Sequence, residues 1–248
     1  MDISMIPDTV LAATNPVHWG GFKWYGNFTT IDLIAATTNA FNGAMLVREP
    51  SHYRKYSIVG ILLFAILGGI GGGVTRDVLV SDVPAALQNP AYLTLCILAG
   101  IAGYLIAFDR EERFRHGTFQ ILTAFSLPWY AIVGAQKGVD VGLPVWGCLM
   151  LAVVGPTAGR WFIDVCSGVT PKHFVQSEWW TTIAFLTGLV WILTYSFVTS
   201  NTWVCAGVAF LVGFTVRLLA ITRKWEEPLP KHMVVDVPGD DELRLPRL

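Results

Sequence analysis

Charge is what this sequence has least of. Only 14% of its 248 residues are Asp, Glu, Lys or Arg, against about 25% in an ordinary soluble domain. So few charges cannot clothe a soluble protein of this length. The formal net charge of −1 leaves no broad basic face, which argues against nucleic acid as a partner. Cysteine is sparse too. Cys96, Cys148, Cys166 and Cys205 show no Cys-x-x-Cys spacing, and thiols set in apolar runs read as packing residues. His18, His52, His116, His173 and His232 lie far apart, in tails or loops, with no metal-ligand spacing. No Ser-His pair, His-Glu metal motif or acid pair at membrane depth stands out, so an enzyme is the least expected class and no cofactor is implied. The first residues lack a basic stretch followed by a compact apolar segment and cleavage site, so a signal peptide is not expected.

What the sequence has instead is apolar length. Apolar residues make up 53% of the chain, and the mean hydropathy is +0.52. A helix needs about 20 mostly apolar residues to cross about 30 Å of hydrocarbon. Seven runs approach that length, at 30–47, 56–80, 91–108, 119–134, 141–165, 179–198 and 202–221. An all-helical membrane protein with seven spans is therefore expected. Trp19, Trp24 and Tyr25 before the first run suit an interfacial tail over 1–28. The segment 223–248, with Pro228, Pro230, Pro238 and Pro246, reads as a mobile tail. The seven runs would then form one domain over 29–222.

Arg48, Arg54, Lys55, Arg110, Arg113, Arg115, Lys172, Arg223 and Lys224 fall on one side of an alternating topology, against Lys23 and Lys137 on the other. Positive loops stay cytoplasmic, which places the N-terminus outside and the C-terminus inside.

The chain also repeats itself. An offset of 87 residues pairs Gly72 with Gly159, Asp77 with Asp164, Val78 with Val165 and Pro84 with Pro171. Each copy holds three runs, over 29–108 and 118–198, with the seventh at 202–222 added. An odd number of spans per copy inverts the second copy, giving a three-plus-three inverted repeat plus one helix. Inverted repeats with matching interrupted helices point to a substrate or ion path between the halves.

The interruptions carry the chemistry. Gly68-Gly69-Ile70-Gly71-Gly72-Gly73 puts five glycines in six residues of the second run. At a cost of about 1 kcal/mol each against alanine, this run is expected to break or kink its helix, and Gly155-Pro156 with Gly159 is expected to break the fifth. Irregular backbone at membrane depth belongs where it is buried in protein or lines a wet cavity. The competing reading is close helix packing through small residues. Val74-Thr75 after the glycines excludes a nucleotide-binding loop, which needs Lys-Ser or Lys-Thr there. Arg76, Asp77, Arg160 and Asp164 are costly charges at membrane depth. They either shape a permeation path or sit at the headgroups as structural glue. Lys137 reads either as a gate or as a snorkelling lysine. Thr37, Thr38, Asn39 and Asn42 in the first run, with Thr123, Ser126 and Tyr130 in the fourth, could complete a wet face. Pro128 should kink the fourth run.

Gly71-Gly72-Gly73-Val74-Thr75-Arg76-Asp77-Val78-Leu79, followed by Val83-Pro84, resembles the first-repeat signature of the prokaryotic trimeric intracellular cation (TRIC) channels. Gly134-Ala135-Gln136-Lys137 is similar to that family's segment at the end of the fourth helix. The resemblance spans about residues 30–222. It implies a homotrimer in a prokaryotic inner membrane, with a pore inside each protomer between helices 2 and 5. It also implies passive permeation of monovalent cations, chiefly K+, with lipid and a second and third copy as partners. Pro156-Thr157-Ala158-Gly159-Arg160 departs from the family's second triple glycine, and Ile163 stands at the place paired with Arg76. A secondary transporter of a small zwitterion such as glycine is the competing reading. A non-transporting assembly or regulatory protein is a third.

Overall fold

The computed structural model describes residues 29–48, 55–109 and 112–228, with side chains for 30–47, 55–106 and 120–228. The expected interfacial tail at 1–28 and the mobile segment at 229–248 lie outside the described residues, as do Arg54 and Arg110 of the charge argument. The described chain is helical. Seven long helices follow one another: α1 Thr29–Met45, α2 Ile58–Leu79, α3 Pro90–Asp109, α4 Glu112–Asp140, α5 Val145–Cys166, α6 Thr181–Phe197 and α7 Thr202–Arg223. A single helical turn, Ala85–Gln88, separates α2 from α3.

Local chemistry sets the ends. Ser57 caps α2 by accepting from the Gly60 amide at 3.1 Å, and Asn201 caps α7 by accepting from Trp203 and Val204. Each side chain satisfies amides that the first turn leaves without carbonyl partners. α4 and α5 lead into Gly142 and Gly168, both at positive φ, where an L side chain is strained. The turn after α2 places Ser81 at φ 58, at the position equivalent to Gly168. The second copy relieves with glycine a conformation that the first copy imposes on serine.

Two expectations are corrected. α2 and α5 run as continuous helices through Gly68–Gly73 and through Gly155, Pro156 and Gly159, without an unwound segment. The glycines serve as a crossing. A methyl group on Gly72 would fall on the Gly155 carbonyl, and one on Gly159 would stand 2.7 Å from the Leu67 carbonyl. Removing Cβ lets the two backbones touch, and the gain in contact offsets the poor helix propensity. α4 is longer than the fourth run at both ends. It starts at Glu112 and reaches Asp140, so Arg113, Arg115 and His116 are helical and Lys137 lies on its last turn. Pro128 sits inside this helix without ending it. Cys96, Cys148 and Cys205 are buried as expected, whereas Cys166 is exposed at the end of α5.

The repeat is written in the hydrogen bonds. Asp77 Oδ2 accepts from the Ala85 amide at 3.0 Å, and Asp164 Oδ2 accepts from the Lys172 amide at 3.2 Å. The Asp77 carbonyl accepts from Val80 and Asp82, and the Asp164 carbonyl from Ser167 and Val169. Each pair is offset by 87 residues. Each half has its own apolar core, one gathered on α1, α2 and α3 and the other on α4, α5, α6 and α7. The halves meet through equivalent helices, α1 on α4 and α2 on α5. Asn39 and Ser126, themselves 87 apart, hydrogen-bond to each other at 2.8 Å, which places them on the axis relating the halves. The second copy is inverted. Leu46 at the end of α1 shares a cavity with Lys172 after α5, whereas Lys137 at the end of α4 pairs with Asp82 after α2.

α2, α5 and α7 each have the length and hydropathy to cross a membrane, and Pro90–Ile106 and Thr181–Phe197 are apolar but shorter. Large apolar side chains such as Leu63, Phe197 and Leu211 are exposed around the bundle, as lipid contact requires.

Candidate functional site

Two cavities flank the α2–α5 crossing. The first, of about 40 Å³, is lined by Asn39, Asn42, Gly43, Leu46, Gly68, Thr123, Pro156, Arg160, Ile163, Lys172 and Trp180. The second, of about 10 Å³, is lined by Asp32, Ala36, Gly69, Ile70, Gly73, Arg76, Asp77, Ala85, Ala86, Tyr92 and Tyr130. These are images of one another under the repeat. Gly43 corresponds to Tyr130, Thr123 to Ala36, Pro156 to Gly69, Arg160 to Gly73, Ile163 to Arg76 and Lys172 to Ala85. Between the cavities stand the Asn39–Ser126 bond and the Tyr130 hydroxyl, which donates to the Gly69 carbonyl.

The charges are held by neighbours that fix their geometry. Arg76 is buried and gives its Nε to Asp77 Oδ1 at 2.9 Å, with Nη1 3.9 Å from Asp32. Tyr92 donates to Asp32 Oδ2 at 2.6 Å. The second cavity therefore carries two carboxylates and one guanidinium. In the first cavity Arg160 gives its Nε to Asp164 Oδ1 at 2.5 Å, one helical turn on. Each half thus sets an arginine on its conserved-offset aspartate, but from different registers, because Arg160 occupies the image position of Gly73 rather than of Arg76.

The loop after α5 adds further charge. Lys172 lies over the Trp180 ring, 4.6 Å from its centre. Burial pushes its ammonium down to about 7, aided by Arg160 and Arg217 and opposed by Glu178 and Asp164. Burial also pushes His173 down to about 3, with Lys172 and Arg160 adding to the effect. The imidazole is therefore neutral, and its Nδ1 accepts from Trp161 Nε1 at 2.9 Å. Arg217 of α7, buried, reaches Glu178 at 2.6 Å and ties the seventh helix to this loop. Lys137 pairs with Asp82, whose carboxyl it holds below the usual range through their hydrogen bond.

The structure thus gathers Asn39, Asn42, Pro156 and Arg160 on one cavity, and Gly73, Arg76, Asp77 and Tyr130 on the other. Gly71, Gly72, Gly155 and Gly159 form the crossing. Asp164 and Ser126 position cavity residues. Thr38 instead returns its hydroxyl to the Ala35 carbonyl, and Lys137 sits away at the end of α4. Sequence reasoning missed Asp32, Tyr92, Lys172 and Trp180. Asp32 carried a usable signal, being a carboxylate inside an apolar run. Trp180 and Lys172 carried none, since only the fold of their loop brings them over the cavity.

Known proteins share this architecture. A family model described as "Glycine transporter" matches twice, over residues 29–107 and 120–196, once on each half. A "UPF0126 membrane protein" of Deinococcus radiodurans is 26% identical over 188 residues, covering 74% of this chain and 83% of its own. The "UPF0126 membrane protein YvgT" of Bacillus subtilis is 24% identical over 166 residues, covering 65% and 80%. Among solved structures, one described under conductance through TRIC cation channels superposes with a TM-score of 0.72 at 22% identity, over 82% of this chain and 97% of that one. The TRIC orthologue from Rhodobacter sphaeroides superposes at 0.69 and 23% identity, over 80% and 100%. The fold is that of the TRIC structures, as the glycine motif suggested, and the relatives' names place the chain among membrane proteins.

Proposed function

The chain belongs to the family described as glycine transporters, and from that premise and its two image-related cavities we propose that it is a passive channel for monovalent cations, chiefly K+. Each protomer of a homotrimer holds its own path, and all seven long helices cross the membrane. The cavity at Arg76 faces outward and the one at Arg160 faces the cytoplasm, as the basic loops at Lys55 and Lys172 favour.

The observation that carries this reading is the crossing itself. Two cavities that each carry charged and polar side chains flank one crossing, where glycines on both helices leave only backbone and a few hydrogen bonds between them. Close backbone dipoles and polar side chains such as Asn39, Ser126 and Tyr130 at such a point suit a partly dehydrated cation. The TRIC structures that share the fold are described as cation channels. Asp32 and Asp77 against Arg76 give the outer cavity one net negative charge, which draws cations in. Gly71, Gly72, Gly73, Gly155, Pro156 and Gly159 shape the constriction, Arg76, Asp77, Arg160 and Asp164 set its field, and the Lys137–Asp82 pair latches the outer mouth.

The test is electrical. Purified protein in planar bilayers under a KCl gradient should show unitary steps reversing near the K+ equilibrium potential. The family's description favours a second reading, a transporter of a small zwitterion. Silent bilayers with saturable, counterflow-competent glycine uptake into liposomes would replace the channel by that reading.

A further inference from the structure

The Arg160 cavity carries a charge that cation permeation does not use and would resist. Arg160 and Asp164 cancel through their 2.5 Å bond. Lys172 remains. Its ammonium rests on the face of Trp180, and the carboxylates that act on it, Glu178 and Asp164, hydrogen-bond Arg217 and Arg160. Asn42 lines the same cavity, is 4% exposed, and has a hydrogen-bond partner for neither Oδ1 nor Nδ2. Trp180, 7% exposed, likewise leaves its Nε1 without an acceptor. A half-buried cation, with a buried amide and a buried indole that lack partners on the same cavity, is costly unless something satisfies them.

We infer that this cavity is a binding site for a small monocarboxylate. Charge fixes the valence, because one uncompensated ammonium calls for one negative charge. Shape favours the carboxylate. With its Nε engaged, Arg160 keeps its two Nη groups, whose planar fork matches a planar pair of oxygens. Lys172 supplies the point charge and Asn42 an amide donor. Size suits a small ligand. About 40 Å³ accommodates a few non-hydrogen atoms, as in formate or acetate. The site belongs to one half alone, because Gly73 and Ala85 stand at the image positions of Arg160 and Lys172 in the other cavity. It is therefore a specialisation of this half rather than a by-product of the repeat. On the channel reading, the bound anion cancels the positive charge on the cytoplasmic approach and makes cation flow depend on carboxylate. The binding itself does not depend on that reading.

The test is an equilibrium one. Full-length protein is melted in detergent at about pH 6, where Lys172 is charged, while sodium acetate replaces sodium chloride at constant ionic strength. The melting temperature should rise saturably with acetate. The apparent affinity should fall at least about tenfold in Lys172→Gln, on the scale of one lost charge-assisted contact, and recover in Lys172→Arg. Raising the pH above about 8 should weaken binding in the wild type, as Lys172, facing Arg160, Asp164, His173, Glu178 and Arg217, loses its proton. No rise as acetate replaces chloride, a rise with inorganic phosphate but not acetate, or an unchanged affinity in Lys172→Gln would overturn the assignment. A silent bilayer would leave it standing, since current and binding are read separately.

Discussion

At the scale of single residues, the account rests on charges that neighbours hold in place. Asp77 and Asp164 each accept from a loop amide eight residues on and from an arginine. Removing either takes the hydrogen-bonding carboxylate from a partly or fully buried guanidinium, and Arg76 then keeps only Asp32 at 3.9 Å. We expect Asp77→Ala to cost about 3–5 kcal/mol in reversible unfolding, the range for breaking a buried pair, and Asp77→Asn to cost less because the amide oxygen still accepts. Lys172 makes a prediction about pH. Its folded-state value of about 7 lies below the ordinary 10.5, so the unfolded chain binds more protons between those values and stability rises with pH there. The melting temperature of the wild type should therefore gain on that of Lys172→Met as the pH is raised from about 7 to about 10. A constant difference would show that the ammonium is not penalised. Tyr130→Phe frees the Gly69 carbonyl from the bond that parts the two cavities, and its single-channel open probability should increase.

At the scale of elements, glycine spacing decides where helices touch. Gly72 and Gly73 are neighbours with opposite expectations. A methyl on Gly72 meets the Gly155 backbone, whereas on Gly73 it finds only the tip of Arg76 at 3.9 Å. Gly72→Ala should destabilise by about 1–3 kcal/mol through overpacking. Gly73→Ala should be neutral or stabilising by up to about 1 kcal/mol through helix propensity. Thermal unfolding of the two variants side by side checks the contrast. The elements also show what sequence can and cannot reveal. Apolar length located the helices, and the offset of 87 located the repeat, because both are one-dimensional patterns. The same glycines were expected to break α2, because propensity is a property of one helix and the compensating contact lies on another. The full length of α4 was hidden by its charged first turns, which carry no apolar signal.

At the scale of the molecule, two halves that are images in backbone differ in chemistry. The Arg76 cavity holds two carboxylates and an arginine, and the Arg160 cavity holds a paired arginine and a spare lysine. The offset made the backbone symmetry legible. It hid this asymmetry, since Asp32, Tyr92, Lys172 and Trp180 enter from outside the paired motif. The proposed homotrimer predicts a protein mass near three times 27.2 kDa by light scattering of the detergent-solubilised protein, and a value near one chain would contradict that assembly.

The central claim is that ions pass between the halves, over the α2–α5 crossing. Single-channel recording of Gly72→Leu and of its image Gly159→Leu tests it most directly, with lipid-facing Leu211→Ala as the control. The account predicts that unitary current is lost in both glycine variants and kept in the control. Wild-type current through folded Gly72→Leu and Gly159→Leu would place the pathway elsewhere and contradict it.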